Sequence, residues 1–283
     1  MNTVIATPKA DVAARLRQGL SAKRVVIGLV VAIVGLASVY NQATFALVVC
    51  AISVIGAAEF ANLARRSGGE VSLPVALVAC GLYPALAYFH VLTRYEPWLI
   101  TTIVVASFAA SLTADLDRFA GRCAMTVLAT LYLGKMLSFL VLMRAAHNGL
   151  AFTLWLVIIV ALTDIVGMVA GLGFGQHLLA PRLSPAKTWE GAICAFAVAT
   201  LLGAGMWWTL QIHGPWWLAF VFPLAVSFAA EIGDLIESAF KRNAQVKDSG
   251  QLLADHGGVL DRFDSYIFAG VVGYVVLMLA GLL

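Results

Sequence analysis

Apolar residues fall into nine runs separated by polar breaks. The runs are Val25–Tyr40, Ala43–Ala61, Leu73–Phe89, Trp98–Leu112, Cys123–Met143, Ala151–Val169, Gly191–Ile212, Trp217–Phe240 and Ser265–Leu282. Most approach the ~20 residues that a helix needs to cross ~30 Å of hydrocarbon. Helices are required because an unpaired backbone group is too costly in lipid. The pattern predicts an all-α, polytopic integral membrane protein with about nine transmembrane helices. It divides the chain into an N-terminal segment, 1–24, N-terminal transmembrane helices, 25–150, and a C-terminal transmembrane region, 151–283.

Composition agrees with this division. Of 283 residues, 61% are hydrophobic and 12% charged, whereas a soluble domain is about a quarter charged. The net charge of +3 gives no reason to expect nucleic acid as a partner. Cys50, Cys80, Cys123 and Cys194 are dispersed in apolar runs, without metal-ligand or redox spacing. Residues 1–24 lack the form of a cleavable signal. With Ala13, Arg15, Leu16, Arg17 and Leu20 they read either as a surface amphipathic helix or as a tail.

The basic residues set the orientation. With the N-terminus inside, fifteen lysines and arginines fall on inner segments and two, Arg94 and Arg144, on outer ones. This is the charge bias of cytoplasmic loops. Two long polar connections, 170–190 and 241–264, then face the cytoplasm.

Ionisable groups within apolar runs are functional candidates by default. Asp164 lies in the sixth run, and Glu231, Asp234 and Glu237 lie in the eighth. At about 100° per residue, Glu231, Asp234, Glu237, Ser238, Lys241 and Arg242 share an arc of about 140°. A salt-bridged structural helix is one reading of that face. No basic neighbour lies at the same depth in the sequence, which favours a metal ion as the compensating charge. Lys135, within the fifth run, either pairs with one of these acids or snorkels. Glu59 reads as a structural residue at the inner end of the second run.

The last connection contains Lys247-Asp248-Ser249-Gly250, then His256-Gly257-Gly258-Val259-Leu260-Asp261-Arg262-Phe263-Asp264. Glycines let backbone N–H groups approach phosphate oxygens, basic side chains neutralise them, and carboxylates hold Mg²⁺. The Gly-Gly pair alone would be only a turn.

Taken together, Ser238 to Asp264 resembles the signature of the phosphatidate cytidylyltransferase (CDP-diacylglycerol synthase) family. The resemblance is carried by Ser238, Phe240, Lys241, Arg242, Lys247, Asp248, Gly250, Leu253, His256, Gly257, Gly258, Val259, Asp261, Arg262, Phe263 and Asp264. Gly233 to Ser238, Leu183 to Gly191, and Asp164 ahead of Gly171-Leu172-Gly173-Phe174-Gly175 are similar to further family positions. Ala254 stands where the family usually has proline, and Ala186 where it commonly has a basic residue or glycine.

The resemblance implies transfer of CMP from CTP to phosphatidic acid, and makes 151–283 the catalytic region. It implies a Mg²⁺ ion on Asp234 and Asp261, leaves room for a second cation, and implies a homodimer in a bacterial inner membrane. Asp234, Asp261, Lys241 and His256 form the expected catalytic set. Ser184, Lys187, Arg242, Lys247, Asp248, Gly257, Gly258, Arg262 and Asp264 form the expected substrate-binding set, with the lipid chains left in the bilayer. Two other readings stand beside this one at the level of sequence, a CTP-dependent polyprenol kinase and a cation transporter.

Overall fold

The structure is a computed structural model and describes residues 30, 33–250, 252 and 257–283. The N-terminal segment 1–24, most of the first apolar run, Leu253, Ala254 and His256 lie outside the described residues. Residues 33–40, the end of that first run, are helical. Arg144 closes this turn by donating to the carbonyls of Val39 at 2.6 Å and Tyr40 at 3.1 Å.

Each of the other eight runs coincides with one helix. They are α1 (Gln42–Arg66), α2 (Leu73–Tyr88), α3 (Leu92–Ser111), α4 (Phe119–Ala145), α5 (Gly149–Phe174), α6 (Trp189–Thr209), α7 (Leu218–Asn243) and α8 (Leu260–Leu279). Among the described residues, α1 and α4 to α8 are long and apolar enough to cross a membrane, so the count supported by length and composition is six. Large apolar side chains stand exposed along these helices, among them Leu47, Val105, Leu201 and Phe228. A soluble protein does not carry so much exposed apolar surface, and the molecule is an all-α polytopic membrane protein.

Helix boundaries differ from the sequence reading where polar residues hide a helix. Asn41 caps α1 by accepting from the N–H groups of Ala43 and Thr44. α1 ends at Arg65 and Arg66, whose charges suit a helix C-terminus. α5 runs through the glycines at 171 and 173 rather than stopping at Val169. α8 starts at Leu260, so Asp261, Arg262 and Asp264 sit on its first turns instead of in a loop. Between α5 and α6 lies a small antiparallel hairpin, β1 (Leu178–Ala180) and β2 (Ser184–Thr188), that the sequence reading did not anticipate.

One aromatic cluster joins the halves of the molecule, and a second contact ties the C-terminal helices together. Phe60 of α1 meets Phe240 of α7 edge-on, with ring centroids 5.0 Å apart, and Tyr132 of α4 packs on both rings and on Phe268 of α8. Trp155 of α5 stacks on Phe222 of α7 at 4.2 Å and donates its indole N–H to the Gly203 carbonyl of α6. α7 and α8 cross closely at Gly233, where a Cβ would lie 2.6 Å from the Asp264 carbonyl oxygen. That contact brings the acidic face of α7 against the first turns of α8.

Candidate active site

The acidic face of α7 is divided between two lysines. Lys187, carried by β2, places Nζ 2.8 Å from Glu231 Oε1 and 2.7 Å from Asp234 Oδ2. Lys241, one turn along α7, pairs with the fully buried Glu237 and lies 2.8 Å from Asp261 Oδ1. The expectation that these acids lack basic neighbours is therefore corrected. One partner arrives from the hairpin, which no spacing along α7 could reveal. Lys135 pairs with none of them, because its Nζ lies 2.5 Å from Glu96.

The hairpin is fixed at both ends. Thr188 caps α6 by accepting from the Gly191 N–H, and Arg242 donates to the Leu183 carbonyl at 3.0 Å. Burial alone would lower the pKa of the Lys187 ammonium, but Asp234 and Glu231 outweigh it and hold the pKa above its ordinary value. A raised lysine pKa contributes stability in full below the unfolded value of 10.5, and this is lost as pH rises through the higher folded value. Lys187 therefore stays charged through neutral pH. Lys187→Met is expected to lower turnover about 10²-fold with the fold retained, measured as initial rate beside a melting curve in detergent.

Asp261 is held more tightly than any other carboxylate here. Its Oδ2 accepts from the Ser249 N–H at 2.9 Å, the Ser249 hydroxyl at 2.9 Å and the Gly258 N–H at 2.7 Å. Gly257 has φ +81°, a left-handed conformation that favours glycine and turns the chain toward α8.

The carboxylate of Glu59 lies beneath this turn. Glu59 is 6% exposed, and its oxygens accept from the N–H groups of Val259 at 2.9 Å and Leu260 at 2.8 Å, and from the Ser249 hydroxyl at 3.4 Å. It thus caps the helix that carries Asp261, and it does so from the other half of the chain. A Cβ on Gly258 would fall 2.6 Å from both Glu59 oxygens. Gly258→Ala is expected to push Glu59 and Ser249 out of place and to lower both melting temperature and turnover, as read by thermal unfolding and initial rates.

These groups surround a cavity of about 880 Å³. Asp164, Ser184, Lys187, Asp234, Lys241, Lys247, Asp261, Arg262 and Asp264 all line it. Of the expected residues, Arg242 instead ties the hairpin to the end of α7, and Asp248 lines a neighbouring cavity. Gly257 and Gly258 support Asp261 through the backbone. Sequence reasoning missed Ser249, the capping role of Glu59 and the partnership of Glu231 with Lys187.

A profile of the Cytidylyltransferase family matches residues 22–280. The chain belongs to that family. A phosphatidate cytidylyltransferase of Staphylococcus aureus is 33% identical over 208 residues, covering 70% of this chain and 76% of the relative. One of Staphylococcus epidermidis is 37% identical over 145 residues, covering 51% and 55%, and one of Staphylococcus saprophyticus is 36% identical over 132 residues, covering 47% and 51%. The chain thus spans about half the length of the latter two relatives. The matched region includes α1 as well as the C-terminal helices, in accord with the contact of Glu59 on α8.

Proposed function

We propose that the chain is a phosphatidate cytidylyltransferase, which transfers CMP from CTP to phosphatidic acid and releases pyrophosphate. The observation that carries this reading is the single cavity in which four aspartates face Lys187, Lys241, Lys247 and Arg262, built on the membrane-length helices α5, α7 and α8 with the hairpin beside them. The names of the relatives support it. The excess of basic residues on one side supports a cytoplasmic N-terminus and cavity, the bacterial relatives support a bacterial membrane, and 151–283 is the proposed catalytic region.

A phosphate oxygen of phosphatidate attacks the α-phosphorus of CTP. The new P–O bond forms as the bond to the β-phosphate oxygen breaks, and pyrophosphate leaves with that electron pair. Phosphatidate is already an anionic nucleophile, so the reaction needs no strong base. The barrier lies in bringing two polyanions together, and positioned cations lower it. Lys241, Lys247 and Arg262 neutralise phosphate charge. Lys187, held between Glu231 and Asp234, presents an oriented ammonium to the same space.

Asp234 and Asp261 are the proposed ligands of Mg²⁺. Among the described residues no group of three or more His, Cys, Asp or Glu gathers to hold a metal ion. Mg²⁺ does not require such a group, since one or two carboxylates complete its shell with water and substrate phosphates. The donors fit: both residues offer hard oxygens to the cavity, and Asp234 Oδ1 accepts a long 3.3 Å hydrogen bond from Ser238. Bound there, the ion supplies positive charge to the phosphate oxygens.

The test uses purified protein with CTP and phosphatidate in mixed micelles, with and without Mg²⁺. Equal amounts of pyrophosphate and CDP-diacylglycerol are expected, with both lost on chelation. Release of CDP in place of pyrophosphate would overturn the reading.

A further inference from the structure

A second cavity of about 790 Å³ opens between the C-terminal end of α1 and the segment 246–250 that follows α7. Its charged lining consists of Arg65, Arg66, Lys247 and Asp248, three cations against one carboxylate. The side chains of Arg65 and Arg66 are exposed and form no hydrogen bond or ion pair among the described residues. Lys247 also lines the catalytic cavity, so the two spaces meet at one side chain.

We propose that this second cavity binds the β- and γ-phosphates of the nucleoside triphosphate and holds pyrophosphate after transfer. The inference rests on the reading of the catalytic cavity as the place where CTP reacts. The triphosphate is a chain of anions whose reacting phosphorus must lie among Lys187, Lys241 and Arg262. Its other two phosphates need cations of their own beyond that space. Two adjacent guanidinium groups suit them, since each presents a fork of donors that matches phosphate oxygens.

The position of Arg65 and Arg66 is not left to a mobile loop. Both lie on the last turn of α1, six and seven residues beyond Glu59. Glu59 is bound to the first turn of α8 through Val259 and Leu260, and Asp261 follows directly. Ser249, which also lines the second cavity, donates its N–H to Asp261 and sets its hydroxyl between Asp261 and Glu59. One hydrogen-bonded wall thus fixes the two arginines relative to the catalytic aspartate.

The test compares the wild type with the double variant Arg65→Gln, Arg66→Gln. Both positions are exposed, so the variant is expected to fold, which a melting curve checks. KM for CTP and the inhibition constant of pyrophosphate should rise together by about tenfold or more, while KM for phosphatidate stays within about twofold. Calorimetric titration with pyrophosphate alone reads the same loss without turnover. Unchanged CTP and pyrophosphate constants would overturn the inference. A rise confined to the KM of phosphatidate would also overturn it, by assigning the cations to a lipid headgroup. Failure of the wild type to transfer CMP would sink the parent reading instead, and the pyrophosphate titration would still decide this one.

Discussion

Asp261→Asn is expected to fold in detergent and to turn over at least about 10³-fold more slowly than the wild type. Two losses combine. Oδ1 faces the Lys241 ammonium and Oδ2 accepts three hydrogen bonds, so Oδ2 is saturated while Oδ1 keeps a lone pair for the proposed ion. The amide of asparagine has one oxygen. If that oxygen serves Ser249 and Gly258, an NH₂ group points at Lys241, which is then left to the buried Glu237. The proposed metal ligand also loses its charge. Loss of one group that stabilises a transition state costs about 10²–10³-fold, and the displaced lysine adds to this. Initial rates at saturating substrates, beside size-exclusion profiles, provide the measurement. A rate within about threefold of wild type would remove Asp261 from the catalytic centre.

Glu59→Ala is the second large effect, and it strikes stability and activity together. The substitution strips the partner from two backbone N–H groups and weakens the support of one hydroxyl, all in a buried site. Each buried donor left unsatisfied costs about 1–3 kcal/mol, so a loss of about 2–6 kcal/mol is expected. The start of α8 then frays, and Asp261 goes with it. Glu59→Gln keeps the volume and one acceptor oxygen, and falls between. Thermal unfolding with activity measured well below the melting temperature separates the two components. A Glu59→Ala protein with wild-type melting and rate would show that the cap carries neither.

Much of this site is legible in sequence because charge is rare in the chain. Asp164 and Asp234 stand out within apolar runs, Lys241 and Asp261 belong to a polar connection whose spacing carries the family resemblance, and all four line the cavity. The helices α5 and α7 are legible because lipid demands long apolar runs. The rest depends on contacts between distant residues. Lys187 is 44 and 47 positions from Glu231 and Asp234, and only the hairpin, which ends at the α6 cap Thr188, delivers it. Glu59 is about 200 positions from the amides it binds, and a carboxylate at the end of an apolar run gives no sign of its partner. The start of α8 is hidden because Asp261-Arg262-Phe263-Asp264 has the composition of a loop. Its helicity follows from an acid at the first turn and a cap supplied by another helix.

The central claim is that one cavity brings a nucleotide's α-phosphorus to a lipid phosphate. The most direct test follows two labels through one reaction, with CTP carrying radioactive phosphorus at the α-position in one tube and at the γ-position in another. The account predicts that the α-label appears in lipid and the γ-label in pyrophosphate, with both transfers absent in Asp261→Asn. Appearance of the γ-label in lipid, with CDP left in solution, would contradict it.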